Sequence, residues 1–389
     1  MIEKCPVCGS ARSQEIDRRE GFPVLMNRVY PTRSSARAAV CGLLDMRGCD
    51  DCGFAWNRAF DPKIIAYDAD YENDQTHSPA FAAHVQDRVA DVLAAVPADH
   101  KLNYLEIGCG QGGFIGKVAA AAGDRLGSAS GFDPAWRGPD TRGPHGSRIH
   151  NVYFDAAAAA LLEGRPNVVV SRHTIEHVPD PLGFLQSLRT ALGPASTARV
   201  FIETPCISWI LEHQAMQDLF YEHCSIFTGR ALRHALELSG FRVRRITHVF
   251  GGQYLWAEAE ASTDVPLTEL PKASGPGVAD IQQRFTTRWR AAVDAAKADG
   301  VIAIWGAGAK GVTFARLTDP DNRLLDHAID INPRKQGLFL AGGGLPVLAP
   351  VESAQRNPRT IFVMNPNYMD EIKAIASSAN IAANLIPIE

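Results

Sequence analysis

The sequence predicts an α/β protein in three parts: a small cysteine-rich module, a sheet built around a strand–turn–helix unit, and a second, smaller lobe of the same kind. Three observations carry this reading. Two CxxC pairs lie at Cys5/Cys8 and Cys49/Cys52. An apolar run from Leu102 ends at Glu106 and passes into Gly108, Gly110 and Gly112. A second apolar run begins at Val301 and passes into Gly306, Gly308 and Gly311. Glycines after a buried strand permit positive φ and close approach of a ligand to the backbone. The helix that follows presents free N–H groups to the turn, which is where open α/β sheets bind nucleotides.

Composition bounds the function. At 389 residues the chain exceeds one ordinary core, so two or three domains are expected. Hydrophobic residues make up 46% and charged residues 21%, with a net charge of −4. That balance suits a soluble globular protein and offers no basic face for nucleic acid. No apolar run approaches the roughly 18 residues a membrane span requires. The opening segment MIEKCPVC has no apolar signal core. The expectation is a cytoplasmic protein whose eight cysteines stay reduced, with neither nucleic acid nor membrane as partner.

The first part, residues 1–65, holds both CxxC pairs. Gly9 and Gly53 follow the second cysteine of each. Two such turns can set four thiolates tetrahedrally around one structural zinc, so Cys5, Cys8, Cys49 and Cys52 are the expected ligands. The rival reading is a redox CxxC. Cys41 is expected as a core thiol, and Cys109, Cys206 and Cys224 have no paired spacing. The polar stretch Asp68–His77 reads as a loop over a pocket.

The second part, residues 66–265, opens with helical periodicity over Ala83–Ala98. The Leu102 strand and its glycine turn follow, with a helix starting near Gly113. A second strand ends at Asp133, whose carboxylate can accept hydrogen bonds from both hydroxyls of a ribose. Asn167–Pro181 contains a further strand and its loop. Ala156–Leu162 reads as a helix, Ala198–Glu203 as a strand, and Thr228–Ser239 as a helix closed by Gly240. Ser262–Gly277 carries linker composition.

The third part, residues 266–389, begins with an amphipathic helix over Ala279–Ala298. Gly306, Gly308 and Gly311 spell GxGxxG, and Asp330 sits where a ribose-binding acid would. Taken alone this unit looks NAD-binding. Ile361–Met364 reads as a later strand.

The first glycine loop has a different spacing, ExGxGxG. It resembles the first motif of class I S-adenosylmethionine-dependent methyltransferases. The resemblance implies that Glu106, Gly108, Gly110, Gly112, Phe114, Asp133, Pro134, Asp155 and Ser171 line the cofactor site.

The order of parts, together with FYEHCSIFT (Phe220–Thr228), WGAGAKG (Trp305–Gly311), DINPRKQG (Asp330–Gly337), LPVLAP (Leu345–Pro350) and MNPNYMDEI (Met364–Ile372), is similar to sugar C-methyltransferases acting on nucleotide-linked 4-keto-deoxysugars. In that family the third part resembles a dehydrogenase but helps hold the nucleotide sugar. The resemblance implies S-adenosylmethionine as cofactor, a nucleotide sugar as acceptor, and catalysis at the E-H pair, Glu222 and His223. The family's tyrosine falls on Phe220, with Tyr221 beside it. The chemistry can be read from the residues. A carbon beside a ketone needs a base to remove its proton and a donor to stabilise the enolate. His223 is expected as base, Glu222 as the group orienting its ring, and Tyr221 as donor, with His173 also near the reacting atoms. Tyr71, Asn73, His77, Lys310, Asn332, Arg334 and Lys335 are expected at the acceptor, the lysines facing a diphosphate.

Three other readings compete: an O- or N-methyltransferase of the same architecture, an NAD-dependent oxidoreductase using the second glycine loop, and a non-enzymatic zinc-ribbon binding module. The predicted architecture is a zinc module, a seven-stranded class I methyltransferase sheet and a second Rossmann-like lobe, with the acceptor between lobes.

Overall fold

The computed structural model describes residues 1–67, 71–139, 141–269 and 280–388. The central sheet contains seven strands: β1 (Leu102–Ile107), β2 (Leu126–Phe132), β3 (Arg148–His150), β4 (Val168–Arg172), β5 (Arg199–Pro205), β6 (Phe241–Val249) and β7 (Tyr254–Ala261). Their spatial order is β3-β2-β1-β4-β5-β7-β6. Only β7 runs antiparallel to its neighbours. The central strands β1, β4 and β5 are rich in Val, Ile and Leu because both of their faces are covered, as the middle of a mostly parallel sheet requires. The order reverses at β1/β4, so a crevice opens beyond the carboxyl ends of those strands.

The third part forms a parallel sheet of β8 (Val301–Trp305), β9 (Leu325–Ile329), β10 (Val347–Leu348), β11 (Pro358–Val363) and β12 (Asn384–Pro387) in the order β10-β9-β8-β11-β12. A helix over Ile281–Ala296, within the predicted span, leads into β8. The second half of the predicted linker, residues 270–277, lies outside the described residues, as do 68–70 of the predicted polar loop.

The N-terminal module is antiparallel: strands Ser13–Pro23, Cys41–Cys49 and Ala55–Asn57 lie side by side. Its edge is completed from outside, because Ser225–Ile226 pairs with Ala55 and Trp56. A second bridge joins Val29–Tyr30 to Phe339–Leu340 of the third part. One hydrophobic cluster accordingly contains Met26, Leu44 and Met46 of the module, Phe220, and Trp289, Phe314 and Phe362 of the third part.

Two local expectations are corrected. Ala156–Leu162 is only a short 3-10 turn at Ala158–Leu161, in which Ala158 alone is buried. A run of small side chains covers too little apolar surface to hold a full helix on the sheet. Cys41 is exposed rather than core; it begins its strand opposite Pro23, and its Sγ donates to the Ala39 carbonyl.

The module also grips the segment before His223 through a buried ion pair. Arg19 lies 2.6 Å from Asp17, and its other guanidinium N–H groups donate to the carbonyls of Leu219 (2.9 Å) and Met216 (2.8 Å). Replacing Arg19 with Met strands the buried Asp17 and both carbonyls. The expected loss of stability is about 3–5 kcal/mol, checked by denaturant unfolding of the full chain.

Candidate active site

The first glycine loop closes on itself in a way only glycine permits. Gly108, Gly110 and Gly112 all take left-handed backbone, with φ of 76°, 54° and 76°. A Cβ on Gly108 would lie 1.9 Å from Thr174 Oγ1, whereas one on Gly110 would meet nothing within 4 Å. Asp133, at the end of β2, ties the loop down: its Oδ2 accepts from the Gly110 N–H at 2.7 Å and its Oδ1 from the Ala135 N–H at 2.8 Å. Burial raises its pKa while these two N–H groups oppose the rise. Pro134 follows, half-buried. The helix over Gly113–Ala122 starts with no side-chain cap, so its first N–H groups face the crevice.

Glu106 lies beneath the loop. It is buried and accepts from Tyr104 Oη at 3.1 Å, and burial pushes its pKa up to about 8 against the pull of Arg172. Phe114 lies under the Arg172 guanidinium, 4.5 Å from ring centre to Cζ. Ser171 is buried, and its Oγ lacks a partner among the described residues. Asp155 sits on the exposed turn after β3 and caps it by accepting from the Ala158 N–H. Open space above Gly110, an uncapped helix start and a carboxylate at the end of β2 are a fitting donor and acceptor set for an adenosyl group. Substituting Gly108 with Ala adds a clash and a strained φ at once. The expected outcome is at least tenfold weaker binding of S-adenosylhomocysteine, read by calorimetry.

A cavity of about 260 Å³ lies between the carboxyl edges of the two sheets. It gathers residues that are far apart in sequence. Tyr71, Asn73 and His77 come from the loop before the helix Pro79–Ala94; His173 and His177 follow β4; His223 follows β5; Lys310, Asn332 and Lys335 come from the third part. Lys310 Nζ is 2.9 Å from Asp218, and Lys335 Nζ is 3.7 Å from Asp330. Arg334 does not reach the cavity wall: it is more than half exposed, and its Nε lies 2.7 Å from Glu72.

His223 is half-buried against Phe220, with ring centres 3.8 Å apart, and meets His177 edge-on at 4.8 Å. Burial, reinforced by His177, His173 and Lys310, holds its pKa well below the ordinary value. The ring is therefore neutral at physiological pH, and its Nδ1 has no hydrogen-bond partner among the described residues. His177 is also held neutral by burial, with its Nδ1 2.8 Å from Tyr67 Oη. His173 adopts φ of 50°, uncommon for a residue with a side chain. Its Nδ1 lies 3.5 Å from Glu176 and its Nε2 3.7 Å from Glu203. Burial would raise Glu203, but Arg172, His173 and His84 outweigh it and hold the carboxyl well below the carboxylate range.

Two catalytic expectations are corrected. Tyr221 points away from the cavity into the N-terminal module, where its hydroxyl accepts from the Asp61 N–H at 2.9 Å. Glu222 does not orient His223. Its Oε2 accepts from Tyr71 Oη at 2.7 Å and its Oε1 from the Met26 N–H at 3.0 Å. A turn explains both: the His223 N–H donates to the Phe220 carbonyl at 3.2 Å, and Tyr221 and Glu222, at the tip of that turn, are both taken up by the N-terminal module. Burial pushes Glu222 up to about 7. Its function is to lock Tyr71 and the module onto the segment.

Sequence reasoning missed Asp218, Gln253, Tyr254, Asn365 and Tyr368, all on the cavity wall. For Tyr254 a signal existed, since Gly251-Gly252 marks a tight turn that delivers the next residues to the sheet edge.

Among the described residues, two groups could hold a metal. The sulfurs of Cys5, Cys8, Cys49 and Cys52 all lie within 4.8 Å of one another, with Cys5–Cys52 and Cys8–Cys49 each at 3.5 Å. Tetrahedral zinc with Zn–S bonds of 2.3 Å sets its sulfurs about 3.8 Å apart. Both turns close alike: Gly9 N–H donates to the Cys5 carbonyl and Gly53 N–H to that of Cys49. Glu176, His177 and His223 offer a second set of ligand atoms within 4.8 Å.

The second glycine loop differs from a dinucleotide seat. Asn27 of the N-terminal module fills it, its Oδ1 accepting from the Ala309 N–H at 3.1 Å. That N–H belongs to the helix start where a pyrophosphate would rest. Asp330 Oδ2 accepts from the Ala307 N–H at 2.9 Å, the same self-closure that Asp133 makes in the first loop.

Comparison with known proteins agrees with this geometry. Residues 81–246 match the methyltransferase domain, and residues 278–384 match the C-methyltransferase C-terminal domain. The chain therefore carries a class I, S-adenosylmethionine-dependent methyltransferase domain. More particularly, it is similar to the C-methyltransferase NovU of Streptomyces niveus, with 25% identity over 230 residues, 55% of this chain and 54% of that one. The chain thus spans about half the length of the curated relative it matches. Among solved structures, magnesium protoporphyrin IX methyltransferase (ChlM) from Synechocystis PCC 6803 with bound SAM aligns over 47% of this chain and 80% of its own, at 15% identity and a TM-score of 0.34. N,N-8-amino-8-demethyl-D-riboflavin dimethyltransferase (RosA) from Streptomyces davawensis aligns over 47% and 56%, at 19% identity and a TM-score of 0.35. Among the described residues no helix is long and apolar enough to cross a membrane.

Proposed function

We propose that this protein methylates a carbon beside the ketone of a nucleotide-linked deoxysugar, using S-adenosylmethionine, in the cavity between its two lobes. One observation carries the reading: the cavity that holds His223 is also lined by Lys310, Asn332 and Lys335 of the matched C-methyltransferase C-terminal domain. An acceptor that reaches the base has to contact that domain. When bound, S-adenosylmethionine supplies an electrophilic methyl group, its S–C bond breaking with the electron pair kept by sulfur. The Gly108–Gly112 loop and Asp133 would hold it. His223, neutral by burial, takes the proton from the acceptor carbon, and the C–H electron pair becomes the enolate that forms the new C–C bond. The imidazolium then returns its proton to solvent. Lys335 and Lys310, although each faces a carboxylate, give the cavity the cationic groups a diphosphate needs. The four cysteines hold a structural zinc that keeps the N-terminal module folded against the His223 segment.

A second reading is favoured by Phe220, which brings no hydroxyl to the base: His223 could instead deprotonate a sugar hydroxyl for O-methylation. The test is incubation with nucleoside-diphosphate 4-keto sugars in deuterated water, first without and then with S-adenosylmethionine. Exchange of the α-proton and a new C-methyl resonance support C-methylation. An O-methyl product without exchange replaces it with the second reading.

A further inference from the structure

An enolate forming beside His223 needs a hydrogen-bond donor at its oxygen, and the phenols around the cavity can be sorted by what each hydroxyl already does. Tyr71 donates to Glu222 at 2.7 Å. Tyr67 is 2.8 Å from His177 Nδ1, and Tyr368 donates to Gln75 at 2.9 Å. Tyr221 is turned into the N-terminal module. Tyr254 differs from all of these. It lines the cavity, and among the described residues its hydroxyl has no hydrogen-bond partner.

Its ring is fixed from three sides. It stacks on Phe250, with centroids 5.4 Å apart and planes 5° apart, and meets His173 edge-on at 4.6 Å. Its backbone is paired with Pro205 at the end of β5. The turn before it is clamped by the third part, since Asn367 Nδ2 donates to the Phe250 carbonyl at 2.9 Å and Asn365 Nδ2 to Gln253 Oε1 at 3.1 Å. Burial, with Tyr368, Asp218, Glu203 and Glu176 nearby, keeps the phenol protonated. A neutral O–H held rigidly in a largely buried site needs no reorganisation when charge develops beside it.

We propose that Tyr254 donates the hydrogen bond that stabilises the acceptor's enolate oxygen while His223 takes the α-proton. The donor keeps its own proton throughout, so the only proton that moves is the one passing from carbon to imidazole. This assignment rests on the C-methylation reading above.

The test is Tyr254→Phe in the full chain, which keeps the ring and deletes the hydroxyl. Two rates are measured with a nucleoside-diphosphate 4-keto sugar: α-proton exchange in deuterated water and methyl transfer. The expected result is a fall of about 10²–10³ in kcat for both, the cost of removing one oxyanion donor. KM and S-adenosylhomocysteine binding should stay within about twofold of the parent on this reading, because a phenylalanine replaces the ring without changing its packing. Exchange and transfer at parental rates, or a rise in KM with kcat unchanged, overturn the assignment. Failure of the parent protein to exchange the α-proton at all is a separate result, which removes the underlying reading before the variant is compared.

Discussion

His223→Asn is expected to abolish measurable methyl transfer, lowering kcat by about 10²–10⁴, the usual contribution of a positioned general base. Asparagine keeps polarity and approximate size but cannot accept a proton. Calorimetry should show S-adenosylhomocysteine binding unchanged, because the glycine loop and Asp133 belong to β1 and β2, not to this segment. The parent enzyme should also show a characteristic acid limb. Burial holds His223 and His177 below the ordinary histidine value, so the base stays unprotonated as pH falls through about 6.5, where an exposed histidine would be half-charged. The decline in kcat/KM is therefore expected below that pH. Stability follows the same groups with a definite sign. The unfolded chain binds protons at these histidines below about pH 6.5 and the folded chain does not, so their contribution is present above that pH and lost as pH falls. His223→Asn removes one of them and should flatten the acid side of the stability curve. A kcat within tenfold of the parent would remove His223 from the reaction.

Replacing Cys49 and Cys52 together with Ser is the second large effect. Metal analysis of the parent should give one zinc per chain and that of the variant none, since two thiolates cannot complete a tetrahedral site. Zinc binding to such clusters carries about 10–16 kcal/mol of apparent free energy that doubles as folding free energy. The N-terminal module is therefore expected to unfold, read as a new low-temperature transition and as protease cleavage within residues 1–65. Methyl transfer should fall with it, although no cysteine touches the cavity. Met26 and Arg19 hang from the module and hold Glu222 and the carbonyls of Met216 and Leu219. A variant that keeps zinc, or loses it without loss of activity, would contradict this coupling.

The chain announces its architecture locally. The two CxxC turns, the ExGxGxG loop and the GxGxxG loop each lie within one short segment, so spacing alone places them. Asp133 and Asp330 were legible for the same reason: each ends the strand after a glycine loop and returns to that loop's backbone. What the sequence concealed depends on which way a side chain turns once distant segments pack. Tyr221 and Glu222 adjoin His223 in sequence, yet the N-terminal module claims both. Tyr254 reaches the cavity only because β7 runs antiparallel against β5. The GxGxxG loop suggested a dinucleotide until Asn27, some 280 residues earlier, was seen to occupy its helix start.

The strand Ser225–Ile226, paired with Ala55 and Trp56, has a consequence for how the chain comes to be folded. A ribosome emitting this protein releases the cysteine module long before the segment that finishes it. Until then Ala55–Asn57 presents an unpaired edge, the kind of surface that recruits strands from other molecules. Closing so long a loop is entropically slow, so the last step of refolding should be the docking of the His223 segment. Fragments ending before residue 226 should aggregate even when zinc is supplied. Maturation of the reactive histidine and protection of the exposed edge are then a single kinetic event.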